Sequence, residues 1–372
     1  MNQFSAIIFS DTYNEINNEL LTNRTLASIP FGGRFRMVDF VLSSLVHASV
    51  NNVAVITRRN YASLEDHLGR GRYWDLDHRN SGLRILSPFY RTKNNNEAFM
   101  ARGKLDALRS IQPYIESIRE EYVVLADANV IANIDFECVF ESHINSGADV
   151  TAIYSDHIAN SHNHIVLEID DNGRVCDMTY SEADNQLKKI ALGIYILKRD
   201  LLMEIIRHAD ARDQYNFESS ALIKNVDKLK IVGYEHKGFA QIVYTEKDYY
   251  NTSMMMLDSE NRADVFNPKR PVITRVKDSV PTLYHYNAKI ENSVIADGCH
   301  IDGTVKNSII FRNVKIEAGA VVENSIIMQN TVIGKGSTLN SVILDKNNIV
   351  SENKNLCGAK EYPYVLVKNT EI

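Results

Sequence analysis

The 372-residue sequence contains no Cys-x-x-Cys pair, no block of lysine or arginine, and no opening apolar run long enough to span a membrane. Each absence removes a class of function. Cys138, Cys176, Cys299 and Cys357 lie far apart, which disfavours both a clustered metal site and a disulfide framework and makes a reducing cytoplasm the simplest home. Forty-one basic against 47 acidic residues leave a net charge of −6, which argues against a nucleic-acid-binding surface. A phosphate-bearing metabolite needs only a local basic pocket and stays open. Met1 to Ser10 has no basic region ahead of a short apolar stretch, so neither a signal peptide nor a membrane span is expected, and the protein is read as cytoplasmic.

What is present is an ordinary globular composition, 44% hydrophobic and 24% charged, in a chain long enough for two or three domains. The first part alternates β-branched runs with helical spacing. Phe4 to Phe9, Asn52 to Thr57 and Tyr122 to Ala126 read as strands; Val38 to His47 and Leu105 to Ile118 read as helices. Later strands are expected at Val150 to Tyr154, His164 to Ile169, Leu192 to Leu197 and Gln241 to Tyr244. Strands separated by helices imply a parallel sheet covered on both faces.

From about Asn287 the pattern changes. The tetrapeptide Asn-Ser-[Val/Ile]-Ile begins at Asn292, Asn307, Asn324 and Asn340, and aliphatic pairs six apart recur between the copies, as at Ile310 and Ile316 or Ile327 and Ile333. Gly298, Gly303, Gly319, Gly334 and Gly336 are the expected turns. Stacked coils with aliphatic rungs, a left-handed parallel β-helix, fit this period. Many hexapeptide-repeat acyltransferases use a histidine base, but no histidine follows His300, so a scaffold and assembly role is favoured. Pro268, Pro271 and Pro281 mark a linker, which divides the chain into 1–245, 246–286 and 287–372.

The segment Arg24 to Phe40, with Pro30-Phe-Gly-Gly-Arg-Phe-Arg36 at its centre, resembles the R-A-K-P-A-V-P-F-G-G-x-[FY]-R stretch of the glucose-1-phosphate adenylyltransferase (ADP-glucose pyrophosphorylase) family. Gly103 to Leu108 is similar to the family's G-T-A-[DN]-A-[VIL], Ala191 to Tyr195 to S-M-G-I-Y, and Phe266 to Arg275 to its N-P-x-W-P-I-R-T. The resemblance covers almost the whole chain. It is strongest to the family's GlgD-type subunits. It implies a Rossmann-like, GT-A-like nucleotidyltransferase domain with a mostly parallel sheet, followed by the left-handed β-helix.

Such enzymes join glucose 1-phosphate to ATP with release of pyrophosphate, chemistry that needs a phosphate cradle, a cation and carboxylates for magnesium. Here the family's pattern breaks. Its G-G-x-G-x-R-L loop is replaced by Ser10 to Leu20, which holds Asp11, Glu15 and Glu19 but no glycine or basic residue. The family's lysine falls on Leu26, and its two metal carboxylates fall on Asn129 and Ile242. Asp127 is near enough to compensate in principle. The sugar-side E-K-P motif is absent where Tyr180 to Asp184 stands.

The resemblance therefore implies a regulatory or structural subunit without catalytic or metal-binding residues of its own. It would form a heterotetramer with a catalytic GlgC-type paralogue that carries the magnesium and makes ADP-glucose for glycogen. A homo-oligomer is the alternative assembly. Two other functions stay open: a weakly active nucleotidyltransferase with altered phosphate contacts, and a free-standing sugar-phosphate-binding module. The family places a Lys or Arg associated with sugar-phosphate activators where Arg34 stands, so Arg34, Arg36, Arg58 and Arg59 are the candidate effector residues, with Arg70 and Arg72 behind them.

Overall fold

The computed structural model describes residues 3–11, 19–79, 81–91, 98–156, 158, 163–182 and 188–372. Every residue of β1 (Phe4–Phe9) is buried, and successive side chains enter opposite layers, Ala6 and Ile8 on one face and Ile7 and Phe9 on the other. That burial on both faces is why β1 reads as a continuous apolar run. The other strands around it are β2 (Asn52–Ile56), β3 (Gly82–Leu86), β4 (Tyr122–Asp127), β5 (Val130–Ala132), β6 (Val150–Ser155), β7 (Asn163–Ile169), β8 (Val175–Glu182), β9 (Ile190–Lys198), β10 (Ile231–Glu235) and β11 (Ala240–Ile242).

The main sheet runs β8-β7-β9-β4-β1-β2-β3, with β6 on β9 and β10 on β6. Pairs β3–β2, β2–β1 and β1–β4 are parallel, as the strand–helix alternation implies. Beyond β4 the sheet turns mixed, because β9 runs antiparallel to both β4 and β6, and β7 returns antiparallel against β8. The expected strand Gln241 to Tyr244 is β11, outside the main sheet and paired antiparallel with β5.

One face of the sheet is covered by α1 (Met37–His47), through Val38, Val41, Leu42 and Leu45. The other is covered by α2 (Lys104–Ser110), α3 (Gln112–Ser117) and, further along the chain, Leu202 and Ile206. The single helix expected over Leu105 to Ile118 is thus two. Pro113 has no N–H for the preceding turn, and its ring would strike the carbonyl one turn back. α4 (Phe136–Ser146) packs on the α1 face and α5 (Arg199–Ala211) on the opposite one.

α6 (Glu246–Met255) opens with a reciprocal cap, Asp248 N donating to Thr245 Oγ1 at 3.2 Å and Thr245 N to the Asp248 carboxylate at 3.0 Å. α7 (Ser259–Val265) follows, and the proline-marked linker then crosses the domain surface. It is pinned there: Ile273 N donates to Ser43 Oγ at 2.8 Å, and Trp74 Nε1 to the Ile273 carbonyl at 3.2 Å.

From Leu283 onward three five-stranded parallel sheets form the sides of the left-handed β-helix. Ile301, Ile310, Ile316, Ile327 and Ile333 point into its interior, as their six-residue spacing requires. The turns, however, are made chiefly by asparagine. Gly298, Gly319 and Gly336 take left-handed turns as expected, with φ of 78°, 72° and 65°, and Gly303 and Gly334 do not; Asn292, Asn307, Asn313, Asn324, Asn330, Asn347 and Asn353 all have φ between 41° and 61°. The Asn amides also stack coil on coil, as in Asn292 Nδ2 to Asn307 Oδ1 at 2.9 Å and Asn330 Nδ2 to Asn347 Oδ1 at 3.1 Å.

The fourth Asn-Ser copy is out of step. Ser341, with φ 55°, takes the turn position, while Asn340 pairs with Glu323 in the strand before it. The two domains share one core: Leu26, Ile29, Phe31, Met37 and Phe40 pack with Ile309, Phe311, Ile326 and Met328. Burying each such side chain contributes about 1.5–3 kcal/mol.

Candidate functional site

The cleft lies where β1 and β4 end and the antiparallel β9 begins. The chain leaves β1 at Ser10, whose N donates to the Ile56 carbonyl at 3.0 Å and whose carbonyl accepts from Ala27 N at 2.9 Å. Asp11 turns inward rather than toward a ligand. Its carboxylate accepts from Leu26 N at 3.0 Å and Ser10 Oγ at 3.2 Å, and burial raises its pKa above the ordinary value despite those bonds. Glu15 lies outside the described residues. Glu19 N donates to the Glu246 carboxylate, so the far end of the segment also sits beside a carboxylate. Leu26, where the family has its lysine, is 2% exposed within the interdomain core, surroundings unsuited to an ammonium.

The two positions aligned with the metal carboxylates are neighbours. Ile242 pairs with Val130 in the β5–β11 ladder, and Asn129 Nδ2 donates to the Val243 carbonyl at 3.1 Å. Both side chains are buried. A buried isoleucine offers no lone pair, and Asn129 brings a neutral amide in place of a carboxylate, its Nδ2 bound to the backbone, so the pair lacks both anionic ligands that a magnesium ion would use here. Tyr244, which stands where the family pattern has glycine, turns its ring into the cleft against His164, with centroids 5.8 Å apart.

A side chain from α2 supplies the cation. Lys104 Nζ donates to Asp127 Oδ2 at 2.7 Å and to the Glu218 carboxylate, and lies 5.4 Å from the centre of the Phe9 ring. Burial works against the Lys104 charge, but the two carboxylates together hold its pKa well above the ordinary lysine value. Burial pushes Asp127 up to about 6; Lys104 opposes that rise and Glu218 adds to it. Gly193, at φ 68°, makes room for this carboxylate, since a Cβ there would run into it. Among the described residues, Asp127 Oδ1 and the buried Tyr195 hydroxyl find no hydrogen-bond partner. Asp127 therefore sits in the cleft with one oxygen, Oδ2, bound by the chain's own ammonium. Among the described residues no cluster of three or more His, Cys, Asp or Glu side chains suits a metal ion.

Lys104, Glu218 and Tyr244 were not among the residues singled out from the sequence. Lys104 is nevertheless visible as a departure from the family's G-T-A pattern, and Tyr244 from the glycine that follows the family's second metal carboxylate by two residues. Glu218 has no such mark.

The arginines fall in separate surroundings. Arg34 is exposed, its guanidinium 5.8 Å from the Phe35 ring centre. Arg36 is engaged: its N donates to Asp39 Oδ2 at 2.8 Å, and Nη1 donates to Ser63 O at 2.6 Å and Oγ at 2.8 Å. Burial lowers its pKa to about 10, Asp39 and Asp66 oppose the fall, and Arg24 and Arg275 add to it. Lys346, on the β-helix, is pushed down to about 7 by burial and by Arg36 and Arg24. Arg58, at the end of β2, lies beside Asp11 instead, and Arg59, Arg70 and Arg72 are exposed.

A nucleotidyltransferase-type sheet domain joined to a hexapeptide β-helix is the class that this fold defines. Residues 21–239 match the family described as "Nucleotidyl transferase", and residues 280–361 match "GlmU-like, C-terminal hexapeptide". The chain is 37% identical to the glycogen biosynthesis protein GlgD of Geobacillus stearothermophilus, over 99% of its own length and 97% of the relative's. It is 31% identical to the protein of the same name from Bacillus subtilis, over 86% and 82% respectively. The chain belongs to the GlgD family. Among the described residues no helix is long and apolar enough to cross a membrane.

Proposed function

We propose that this protein serves glycogen biosynthesis as a non-catalytic subunit that modulates a GlgC-type glucose-1-phosphate adenylyltransferase. The names of its relatives support the pathway. The observation that carries the non-catalytic part is the Lys104 ammonium held between Asp127 and Glu218, beside an Asn129 and an Ile242 that supply magnesium no carboxylate. A metal entering here would have to displace that ammonium without the carboxylates that the family's chemistry rests on. The magnesium then belongs to the catalytic partner, and this chain carries no cofactor.

The regulatory part rests on the domain junction. There burial, and after it the Arg36 charge, lowers the pKa of Lys277 and Lys346, a concentration of positive charge that a sugar-phosphate effector would relieve. An effector bound there acts through subunit contacts only if its affinity differs between two assembly states.

The test titrates purified chain into the catalytic paralogue while ADP-glucose formation and sedimentation are followed. Alone, the chain makes no ADP-glucose; in the mixture, a heavier particle with altered rate or effector response forms. Turnover by the isolated chain, or unchanged kinetics and mass at about micromolar excess, would overturn the reading.

A further inference from the structure

The cleft of the sheet domain has the lining of a site for a neutral sugar. Three observations meet there. Among the described residues the lysine and arginine on its wall are matched: Lys104 lies between Asp127 and Glu218, and Arg102 binds Asp106 at 2.7 Å and Asp213 at 2.6 Å. A phosphate entering would meet two carboxylates and, among the described residues, no unmatched lysine or arginine, so this lining disfavours anions.

The wall is also rich in tyrosine. Tyr180 and Tyr215, 49% and 48% exposed, stand at the mouth, and Tyr195 and Tyr244 lie deeper. Aromatic rings with polar tips suit the apolar C–H face and hydroxyl rim of a pyranose. Finally, among the described residues the hydroxyl of Tyr195, a residue 1% exposed, and Asp127 Oδ1 lie just behind this lining without hydrogen-bond partners. Buried polar groups are normally paired, and a sugar hydroxyl both donates and accepts. The space, about 470 Å³, accommodates a hexose with room for part of a second.

We propose that this cleft binds a neutral hexose, either as a monosaccharide or as the terminal residue of a glucan chain, in preference to a sugar phosphate or a nucleotide. The inference concerns the isolated chain and stands apart from its association with a catalytic paralogue.

Titration calorimetry of the full chain with glucose, maltotriose, glucose 1-phosphate and ATP tests it. A neutral sugar binds with a Kd of about millimolar or tighter, and glucose 1-phosphate binds at least about tenfold more weakly. Glucose tighter than maltotriose identifies the free monosaccharide as ligand; the reverse identifies the chain end. Tyr195→Phe weakens the sugar by at least about fivefold without lowering the melting temperature, since the hydroxyl has no partner to lose in the unliganded protein. Tyr215→Ala, at the exposed mouth, weakens it similarly. No neutral-sugar binding at about 50 mM, or glucose 1-phosphate binding as tightly as glucose, overturns the proposal. So does a Tyr195→Phe variant that loses stability but binds sugar normally.

Discussion

Arg24 and Asp345 meet at 2.5 Å across the domain junction, each with only 4% of its side chain exposed. The pair joins the segment ahead of α1 to the last complete coils of the β-helix, and Met328 lies against the same guanidinium at 4.0 Å. Removing one partner strands the other charge away from water. Arg24→Ala is therefore expected to destabilise the protein by about 3–5 kcal/mol, whereas Arg24→Met with Asp345→Leu costs far less. Urea denaturation of the three proteins checks this; equal losses for the single and double variants would show that packing alone operates there.

The same junction gives stability a pH dependence. Lys346 is held down to about 7 in the folded chain, against an ordinary value of 10.5. Between these values the unfolded chain binds more protons, so this group makes stability fall as pH drops from about 10 toward 7, and below 7 its full penalty remains. Lys346→Met is accordingly expected to stabilise the protein by about 2 kcal/mol near pH 6, after allowance for partial exposure, with the gain vanishing near pH 10. Denaturation midpoints at the two pH values decide it. A gain that does not change with pH would point to apolar packing rather than charge.

The asparagine ladder makes a conformational prediction. Asn330 has φ 61°, accepts from Asn313 Nδ2 at 3.3 Å and donates to Asn347 Oδ1 at 3.1 Å. Asn330→Ala loses both bonds and places a methyl group in a left-handed turn, a cost of about 2–3 kcal/mol. Asn330→Gly keeps the turn and loses about 1 kcal/mol. Thermal unfolding that ranks alanine above glycine in stability would contradict the assignment of the turn.

What the sequence made legible follows from how local each signal is. β1 was readable to its ends because all six of its residues are buried, and the interior rungs because Ile310 and Ile316 or Ile327 and Ile333 keep a six-residue step. Register was harder. The tetrapeptide at Asn340 copies the one at Asn324, but the coil is one residue longer than that repeat, so Ser341 rather than Asn340 aligns with Asn324. In the cleft, the losses at Leu26, Asn129 and Ile242 showed in aligned motifs, yet their replacement did not. Lys104 finds its partners 23 and 114 residues away, a separation that no local pattern encodes.

That replacement carries the last prediction. Lys104 shares one buried ammonium between two carboxylates, so Lys104→Met leaves Asp127 and Glu218 facing each other without a cation. Asp127, already raised to about 6 by burial, then loses the charge that lowers it and rises further. A carboxylate whose folded pKa exceeds its unfolded value stabilises the protein at low pH and loses that contribution as pH climbs through the folded pKa. The variant is thus expected to lose about 3–5 kcal/mol near pH 8 and clearly less near pH 5. A loss independent of pH would mean that Lys104 acts through its methylene stem alone. Restoring ligands does not restore chemistry either. Asn129→Asp with Ile242→Asp, alone or with Lys104→Thr, is expected to release no pyrophosphate from ATP and glucose 1-phosphate. The segment after β1 still lacks glycine, and Leu26 still points into the core where the family has its lysine. ADP-glucose formation by the triple variant would show that metal ligands alone suffice in this fold.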